Sequence, residues 1–388
     1  MKAVILSGGQ GTRVRPLTYI VPKPMIPIVE RPLISYIFKL LKKHNFSQVI
    51  VTVSYKADML EDHYQNGEEQ GMQIAYSLEG SVKNGKIVSK GLGSAGGLKK
   101  VQKFADFFTE PFLVICGDAL IDLDLTKAME FHKSHDGVAT VICKEVPKED
   151  VYKYGVVVTS ENGLIESFQE KPKVEDAKSN IINTGIYIFD PIVLDYIPDN
   201  KEFDIGGDLL PLLSELNLPY YAKVPDFQWI DVGSIADFYK ANMLLLEKKI
   251  KDIKPYGKEI QPNVWVGINC KIDFDSIEIE GPVYIGNSVK IEDGVKIIGP
   301  TMIGSGCLIE ENVILNQSIL FSYTKIHRGL KFSNKIITSK YIVNPDGSFI
   351  DVDETNMHFL VEDRRKCYCK ITPEEIEILE ILQSIYSL

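Results

Sequence analysis

Residues 1–18 read MKAVILSGGQGTRVRPLT, and the rest of the chain is best read outward from them. The run KAVILS is short, apolar and bounded by glycine, which is the pattern of a buried strand. Gly8, Gly9 and Gly11 follow at once, with Arg13 and Arg15 close behind. A strand that opens into a glycine-rich turn is either a simple connection or a cradle for phosphate. Two familiar cradles do not fit. The G-x-x-x-x-G-K-[ST] loop is absent, and a G-x-G-x-x-G fingerprint would need glycine where Val14 stands. The chemistry still suits an anion. Glycines let backbone N–H groups approach without Cβ obstruction, and guanidinium forks match phosphate oxygens. Lys23, between Pro22 and Pro24, adds a cation on a stiffened backbone.

Beyond this loop, strand-like and helix-like stretches alternate to about residue 250. PLISYIFKLLKKHNF has helical apolar spacing, QVIVTVSY reads as a strand and KADMLEDHYQ as a helix. MQIAYSL, GGLKKVQKFADFF and PFLVICGD continue the alternation. This implies an α/β domain with a Rossmann-like, mostly parallel mixed sheet and helices on both faces. Ligands of such sheets sit at the carboxyl ends of the strands, where the glycine loop and Asp118 both fall. GVATVICKEV, YGVVVTS, LIESFQEKP and NTGIYIFD suggest an antiparallel excursion beside the main sheet. The helix SIADFYKANMLLLEKKI closes the domain.

A different texture follows. Counting in sixes from Ile279 gives Ile285, Ile291, Ile297, Ile303, Ile309, Leu315 and Phe321. This register, with small or β-branched residues four places on and recurring glycines, predicts a parallel β-helix with the isoleucines pointing inward. Plain strand alternation, whose period also divides six, is the competing reading. After about residue 331, NPDGSFIDV looks like a hairpin. TPEEIEILEILQSIY starts an amphipathic helix, with Thr372 as cap and Glu375 in the capping-box position. The expected organisation is thus 1–250 catalytic, 251–330 β-helix and 331–388 a C-terminal extension with hairpin and helix.

The composition narrows the function. The 388 residues carry a formal charge of −10, which argues against a nucleic-acid binder. No apolar run reaches membrane-spanning length and no signal peptide is visible, so the expectation is a cytoplasmic protein with no membrane partner. Six scattered cysteines without a C-x-x-C pair fit reduced thiols rather than disulfides or zinc.

The ordered motifs resemble those of the sugar-1-phosphate nucleotidyltransferases. GGQGTRVRPLT with KPMIPIVERPLISY is similar to that family's signature. LGSAGGL, CGDAL, YGVV, FQEKP, NTGIYIF and WIDVGS match further family segments, so the resemblance covers most of the chain. It implies that the repeat tract is the left-handed β-helix many members append. It also implies a Mg2+-dependent reaction in which a nucleoside triphosphate and a sugar 1-phosphate yield a sugar nucleotide and pyrophosphate. By resemblance, Asp118 and Asp231 hold the metal. Arg13 and Lys23 stabilise the triphosphate and its developing charge. Leu6, Gly8, Gly9, Gln10, Gly11 and Thr12 form the nucleotide cradle. Gly93, Gly96 and Gly97 bring main chain against the base, with Glu79 at its edge. Gly155, Glu170, Lys171, Asn183 and Thr184 take the sugar phosphate. Read without the family, Asp118 and Asp231 are also reasonable caps, and Lys171 a surface lysine.

One departure concerns the arginine that some relatives place after the NTGIYIF strand. It is missing, and Lys201 is the candidate expected to replace it. No histidine precedes His327 in the repeats, which speaks against acetyl transfer. CGDALIDLDL, EFDIGGDLLP and the extra C-terminal helix resemble a UDP-glucose pyrophosphorylase type, which implies UTP with glucose 1-phosphate, while GLGSAGGL resembles the loop of guanylyltransferases and keeps GTP with mannose 1-phosphate as the alternative. A non-catalytic sugar-nucleotide-binding subunit is the third reading. The β-helix or the C-terminal helix is expected to form a homo-oligomer contact.

Overall fold

The computed structural model describes residues 1–83, 86–89, 91–251, 253–366 and 378. The expected C-terminal helix, apart from residue 378, and the Cys367/Cys369 pair lie outside the described residues. The chain forms two compact units. One comprises Met1–Gln10, Val21–Met25 and Leu33–Trp229, and the other Gly11–Ile20, Ile26–Pro32 and Ile230–Leu388.

The first unit is built on a nine-stranded sheet. Its elements, in chain order, are β1 (Lys2–Leu6), α1 (Leu33–Lys43), β2 (Gln48–Val53), β3 (Gln73–Leu78), α2 (Gly93–Ala105) and β4 (Phe112–Cys116). There follow α3 (Leu125–Lys133), β5 (Ala139–Glu145), β6 (Gly155–Thr159), β7 (Ile165–Glu170), β8 (Ile181–Phe189) and β9 (Tyr220–Lys223). The strand order is β7-β6-β8-β4-β1-β2-β3, with β5 between β8 and β9. The strands β4, β1, β2 and β3 are mutually parallel. The antiparallel strands are not a separate excursion, because β8 pairs directly with β4, Ile186 opposite Ile115.

The apolar run of β1 works because both faces of the sheet are covered. Ala3 and Ile5 enter one core with α1 and α3, and Val4 enters the other with α2. All three are fully buried. Such two-sided burial is what a continuous apolar strand signals. The register then lines up the strand ends, with Leu6 opposite Thr52 on one side and Cys116 on the other. One edge of the sheet therefore carries the glycine loop, the residues after β4 and, since β8 runs the other way, the Asn183–Gly185 entry to β8.

In the second unit the chain coils into three parallel ladders. Val283–Ile285 stacks under Thr301–Ile303, Glu278–Glu280 under Lys296–Ile298, and Lys290–Ile291 under Leu308–Ile309. Ile285, Ile297, Ile303, Ile309 and Leu315 fill the interior as expected, all fully buried. The six-residue count fails at one point. Leu320, not Phe321, stacks on Ile303, and Phe332 stacks on Leu315. The third coil is one residue short, so Phe321 leaves the core and its ring lies 6.1 Å from that of Phe238. Antiparallel strands Tyr341–Val343 and Val361–Asp363 close the last coil's edges. Tyr341–Val343 and Phe349–Asp351 form the expected hairpin, turned by Gly347 at φ 93°. Helix α4 (Ile235–Leu246), capped by Ser234, belongs to this unit.

Candidate active site

In the first unit the carboxyl edge of the sheet gathers most of the expected residues. Gly117 N–H donates to Leu6 O (2.8 Å), which sets β4 and β1 level where the two loops leave the sheet. Ser7 N–H is held by Thr52 Oγ1 (3.2 Å). Asp118, immediately after, meets Lys23, whose Nζ donates to Oδ2 at 2.6 Å. Lys23 is 9% exposed and the Asp118 side chain 33% exposed. A lysine this buried needs a counter-charge, and the proline-flanked turn Lys23–Met25 aims it at one. Gly9 has nothing within 4 Å of where a Cβ would stand, so that corner of the loop is open. Gln10 and Thr12 are exposed.

Gly8 has a tighter reason to be glycine. A Cβ there would lie 2.5 Å from Glu79 Oε2, and one at Gly97 would lie 3.2 Å from Glu79 Oε1. The Glu79 carboxylate thus occupies the space that both glycines vacate. Burial raises its affinity for a proton, opposed by the hydrogen bond with Thr52 and the charge of Lys100. A carboxyl group in that state can present an acceptor, or a donor and an acceptor together.

Gly93 and Gly96 have a further reason to be bare. They were expected to open main chain toward a base. A Cβ at Gly93 (φ +72°) would strike the Phe203 backbone, and one at Gly96 would lie 3.0 Å from Lys201 O. Their bareness lets residues 201–203 cross the start of α2, where Ala95 and Gly96 N–H both donate to Phe203 O (3.0 Å). Ser94 Oγ donates to Asp204 Oδ1 (3.0 Å) and accepts from Ile205 N–H (2.8 Å). This junction between LGSAGG and EFDIGG has no local sequence signal.

The Glu170 carboxylate lies over two bare backbones, with a Cβ at Gly155 or Gly206 coming within 3.1 or 3.2 Å of Oε2. Lys171 sits at φ 44° and pairs with Glu170 Oε1 at 2.7 Å. Its side chain is 63% exposed and available to a ligand. Asn183 Oδ1 accepts from Gly185 N–H (2.9 Å) and its amide donates to Tyr187 Oη (2.7 Å). Thr184 is turned inward, its hydroxyl donating to Ile142 O (2.7 Å), so only its backbone remains for a substrate.

The second unit carries Gly11, Thr12, Arg13 and Asp231. Gly11 adopts φ 64° and begins the Thr12–Val14 turn, with its carbonyl accepting from Val14 N–H and Thr18 Oγ1 (both 3.0 Å). Arg13 and two carboxylates converge on Gly233. A Cβ there would lie 3.2 Å from Asp231 Oδ2, 3.4 Å from Asp237 Oδ2 and 3.6 Å from Arg13 Nη1. Asp237 was missed by the sequence reading, although the Ser234-x-x-Asp237 capping pattern marks it: Ser234 Oγ donates to Asp237 Oδ2 at 2.7 Å. Arg15 instead lies over the Tyr19 ring. Among the described residues no three His, Cys, Asp or Glu side chains form a metal cage. Magnesium is commonly held by one or two carboxylates plus substrate phosphates, and the hard oxygen donors of Asp118 and Asp231 suit that ion.

The sequence profile described as nucleotidyl transferase matches residues 2–248, and the bacterial transferase hexapeptide profile, of six repeats, matches residues 282–317. A UTP–glucose-1-phosphate uridylyltransferase of Synechocystis is 48% identical over 386 residues, spanning 99% of this chain and 100% of its own. The mannose-1-phosphate guanyltransferase beta-A of Xenopus laevis is 36% identical over 249 residues, 64% of this chain and 65% of its own. Among solved structures, a UDP-glucose pyrophosphorylase complexed with UDP-glucose superposes with a TM-score of 0.54 at 25% identity, over 64% of this chain and 98% of that one.

Proposed function

The chain belongs to the nucleotidyl transferase family, and on that premise we propose that it transfers UMP from UTP to glucose 1-phosphate. The observation that carries the substrate pair is extent. Similarity to the uridylyltransferase runs through the whole chain, repeats and tail included, whereas similarity to the guanyltransferase covers about two-thirds.

In this reading a phosphate oxygen of the sugar phosphate attacks the α-phosphorus of the nucleotide. The bond from that phosphorus to the bridging oxygen breaks, and pyrophosphate leaves with the electron pair. The attacking oxygen is already anionic, so no side chain need take a proton and no protein nucleophile is required. Positioning and charge stabilisation supply the catalysis. Arg13 binds the departing phosphates and Lys23 the α-phosphate, as fixed cations aimed at developing charge. Lys171 takes the sugar phosphate, while Glu170, Asn183 and the backbone at Gly155 and Thr184 orient the sugar. The glycine loop at Leu6, Gly8, Gly9, Gln10, Gly11 and Thr12 cradles the nucleotide, and Glu79 with Gly93, Gly96 and Gly97 shapes the base side. Asp118 and Asp231 would hold Mg2+, which when bound offsets repulsion between the two phosphorylated substrates.

GTP with mannose 1-phosphate is the second reading, favoured by the 36% identity to the mannose-1-phosphate guanyltransferase beta-A of Xenopus laevis. The deciding experiment offers four nucleoside triphosphates against glucose, mannose and N-acetylglucosamine 1-phosphates and follows pyrophosphate release. Preference for UTP with glucose 1-phosphate supports the first reading, and preference for GTP with mannose 1-phosphate replaces it. Turnover of none returns the chain to a sugar-nucleotide-binding role. A cytoplasmic setting is also proposed, supported by the free thiols of Cys116, Cys143, Cys270 and Cys307. Self-association through the β-helix or the C-terminal helix is proposed on the repeat architecture.

A further inference from the structure

Glu30 follows the IPIV segment, seven residues after Lys23, and its carboxylate is spent entirely on the β-helix. Oε2 accepts from Tyr284 Oη at 3.0 Å. Oε1 accepts from Ser305 N–H and from Ser322 Oγ (3.2 Å). These three donors sit at one corner of three successive coils, at or just after the stacked strands Val283–Ile285, Thr301–Ile303 and Ile319–Leu320. Gly286 is bare at the same corner, where a Cβ would come within 2.5 Å of Glu30 Oε2, 2.6 Å of Ser305 N and 2.8 Å of Ser305 Oγ. The β-helix thus has a seat shaped for one carboxylate from outside it.

The backbone on either side is held with equal care. Val29 and Glu30 both adopt left-handed φ, 43° and 65°. For a β-branched residue this is a genuine outlier that persists only when its surroundings impose it. Val29 N–H donates to Asn242 Oδ1 at 2.8 Å, and the fully buried Asn242 is itself fixed by donating to Phe238 O (2.9 Å). Helix α4, which supplies Asn242, also touches the Thr12–Val14 turn, the Pro27–Ile28 strand and the Thr301–Ile303 coil. Its Tyr239 Oη donates to Gln317 O at 2.6 Å. The two loop segments Gly11–Ile20 and Ile26–Pro32 accordingly belong to the same compact unit as the coils.

We propose that the β-helix is part of the catalytic apparatus, with Glu30 the positioning residue through which three coils hold the backbone of Gly11–Ile20 and Ile26–Pro32, and so Arg13, in the conformation the reaction needs. This rests on the nucleotidyltransferase reading of Arg13. Strain confined to the Val29–Glu30 step is what such a hold would store. A tail that served only for assembly would have no use for a carboxylate cage at that step.

The test uses the full chain with Glu30→Ala, Glu30→Gln and Tyr284→Phe, the last of which removes one donor from the β-helix side. Two readouts are taken on each, hydrogen exchange of peptides covering residues 11–32, and steady-state kinetics with whichever substrate pair the unmutated chain turns over. A reacting group misplaced by an ångström costs on the order of 100-fold. Glu30→Ala and Tyr284→Phe are therefore expected to lower kcat at least about 10-fold, with KM for the sugar 1-phosphate within about 2-fold. Exchange over 11–32 should rise in the same variants, and the midpoint of thermal unfolding should move little. Glu30→Gln, which keeps the length and one acceptor, should fall between. Unchanged kcat per folded molecule, with or without a lower unfolding temperature, would reduce Glu30 to a structural pin and overturn the proposal. Unchanged exchange over 11–32 overturns it as well. If Glu30→Ala does not fold, Ser322→Ala, which removes one donor, takes its place with the same criteria. Should the unmutated chain turn over no substrate pair, the functional reading fails by itself, and the exchange readout still decides this one.

Discussion

Replacing Gly8 by alanine separates two reasons for a glycine in the phosphate loop. Gly8 is not among the glycines with positive φ, so an alanine backbone is tolerated there. Its Cβ, however, would stand 2.5 Å from Glu79 Oε2 and 2.8 Å from Cδ, where ordinary contact begins at 3.4 Å. The carboxylate must retreat by roughly 1 Å, out of the hydrogen bond with Thr52, and overpacking of this kind costs about 1–3 kcal/mol. Against this, Gly→Ala stabilises by ~0.4–1 kcal/mol through the unfolded chain. Gly8→Ala should therefore destabilise by about 1–2 kcal/mol in the native background. In a Glu79→Ala background the obstruction is gone, and the same substitution should stabilise by ~0.4–1 kcal/mol. The sign reversal is the signature. Urea unfolding measures it, with midpoint and slope followed by Trp229 fluorescence after Trp265→Phe silences the chain's other tryptophan. The same sign and size in both backgrounds would refute the account, and would mean that Gly8 is bare for the sake of a ligand rather than for Glu79.

Two further outcomes follow from the charges. Asp118→Asn should lower kcat by about 100-fold or more, the usual scale for losing one electrostatic element of a site. It should cost only a few degrees of unfolding temperature, because the pair with Lys23 is partly exposed and the amide oxygen still accepts its hydrogen bond. Turnover within tenfold of the unmutated chain would remove Asp118 from the metal role. The β-helix should also lose stability in acid. Burial pushes the Glu310 carboxyl up, but the neighbouring His327 and Lys325 outweigh it and hold it at about 2. A carboxyl depressed in the folded state stabilises fully above its ordinary value of 4.5, and the contribution drains away as pH falls toward 2. Trp265 fluorescence in an acid titration reads this loss. Glu310→Gln should flatten the curve between those limits, and an unaltered curve would show that acid acts elsewhere.

Much of the architecture was legible because it rests on local period. The alternation of apolar runs announced a sheet covered on both faces, and β1 with its flanking helices bears this out. The six-residue register announced stacked coils and named their interior residues up to Leu315. It failed at Phe321 because a single missing residue shifts every later position, and period alone has no means of marking a deletion. The expected site residues on strand ends and in the glycine loop could be placed at the sheet's carboxyl edge from their flanking patterns, since short apolar runs mark where each strand stops. Asp237 and Ser94 were missed, their importance coming from partners 110 positions away in the case of Ser94 and Asp204.

The glycines mark the division most clearly. By itself the sequence determined that Gly8, Gly93, Gly96 and Gly97 must be bare, and suggested that a ligand was the cause. Only the tertiary structure decided what fills the space: Glu79 at Gly8 and Gly97, and the backbone of residues 201–203 at Gly93 and Gly96. The same holds for Glu30, an ordinary charged residue in the sequence that becomes a clamp once three coils present their donors to it. Hydrophobic period is a property of neighbours along the chain. The occupant of a missing side chain's volume, or the partner of a carboxylate, is chosen by chain crossings tens to hundreds of residues apart, and only packing brings those together.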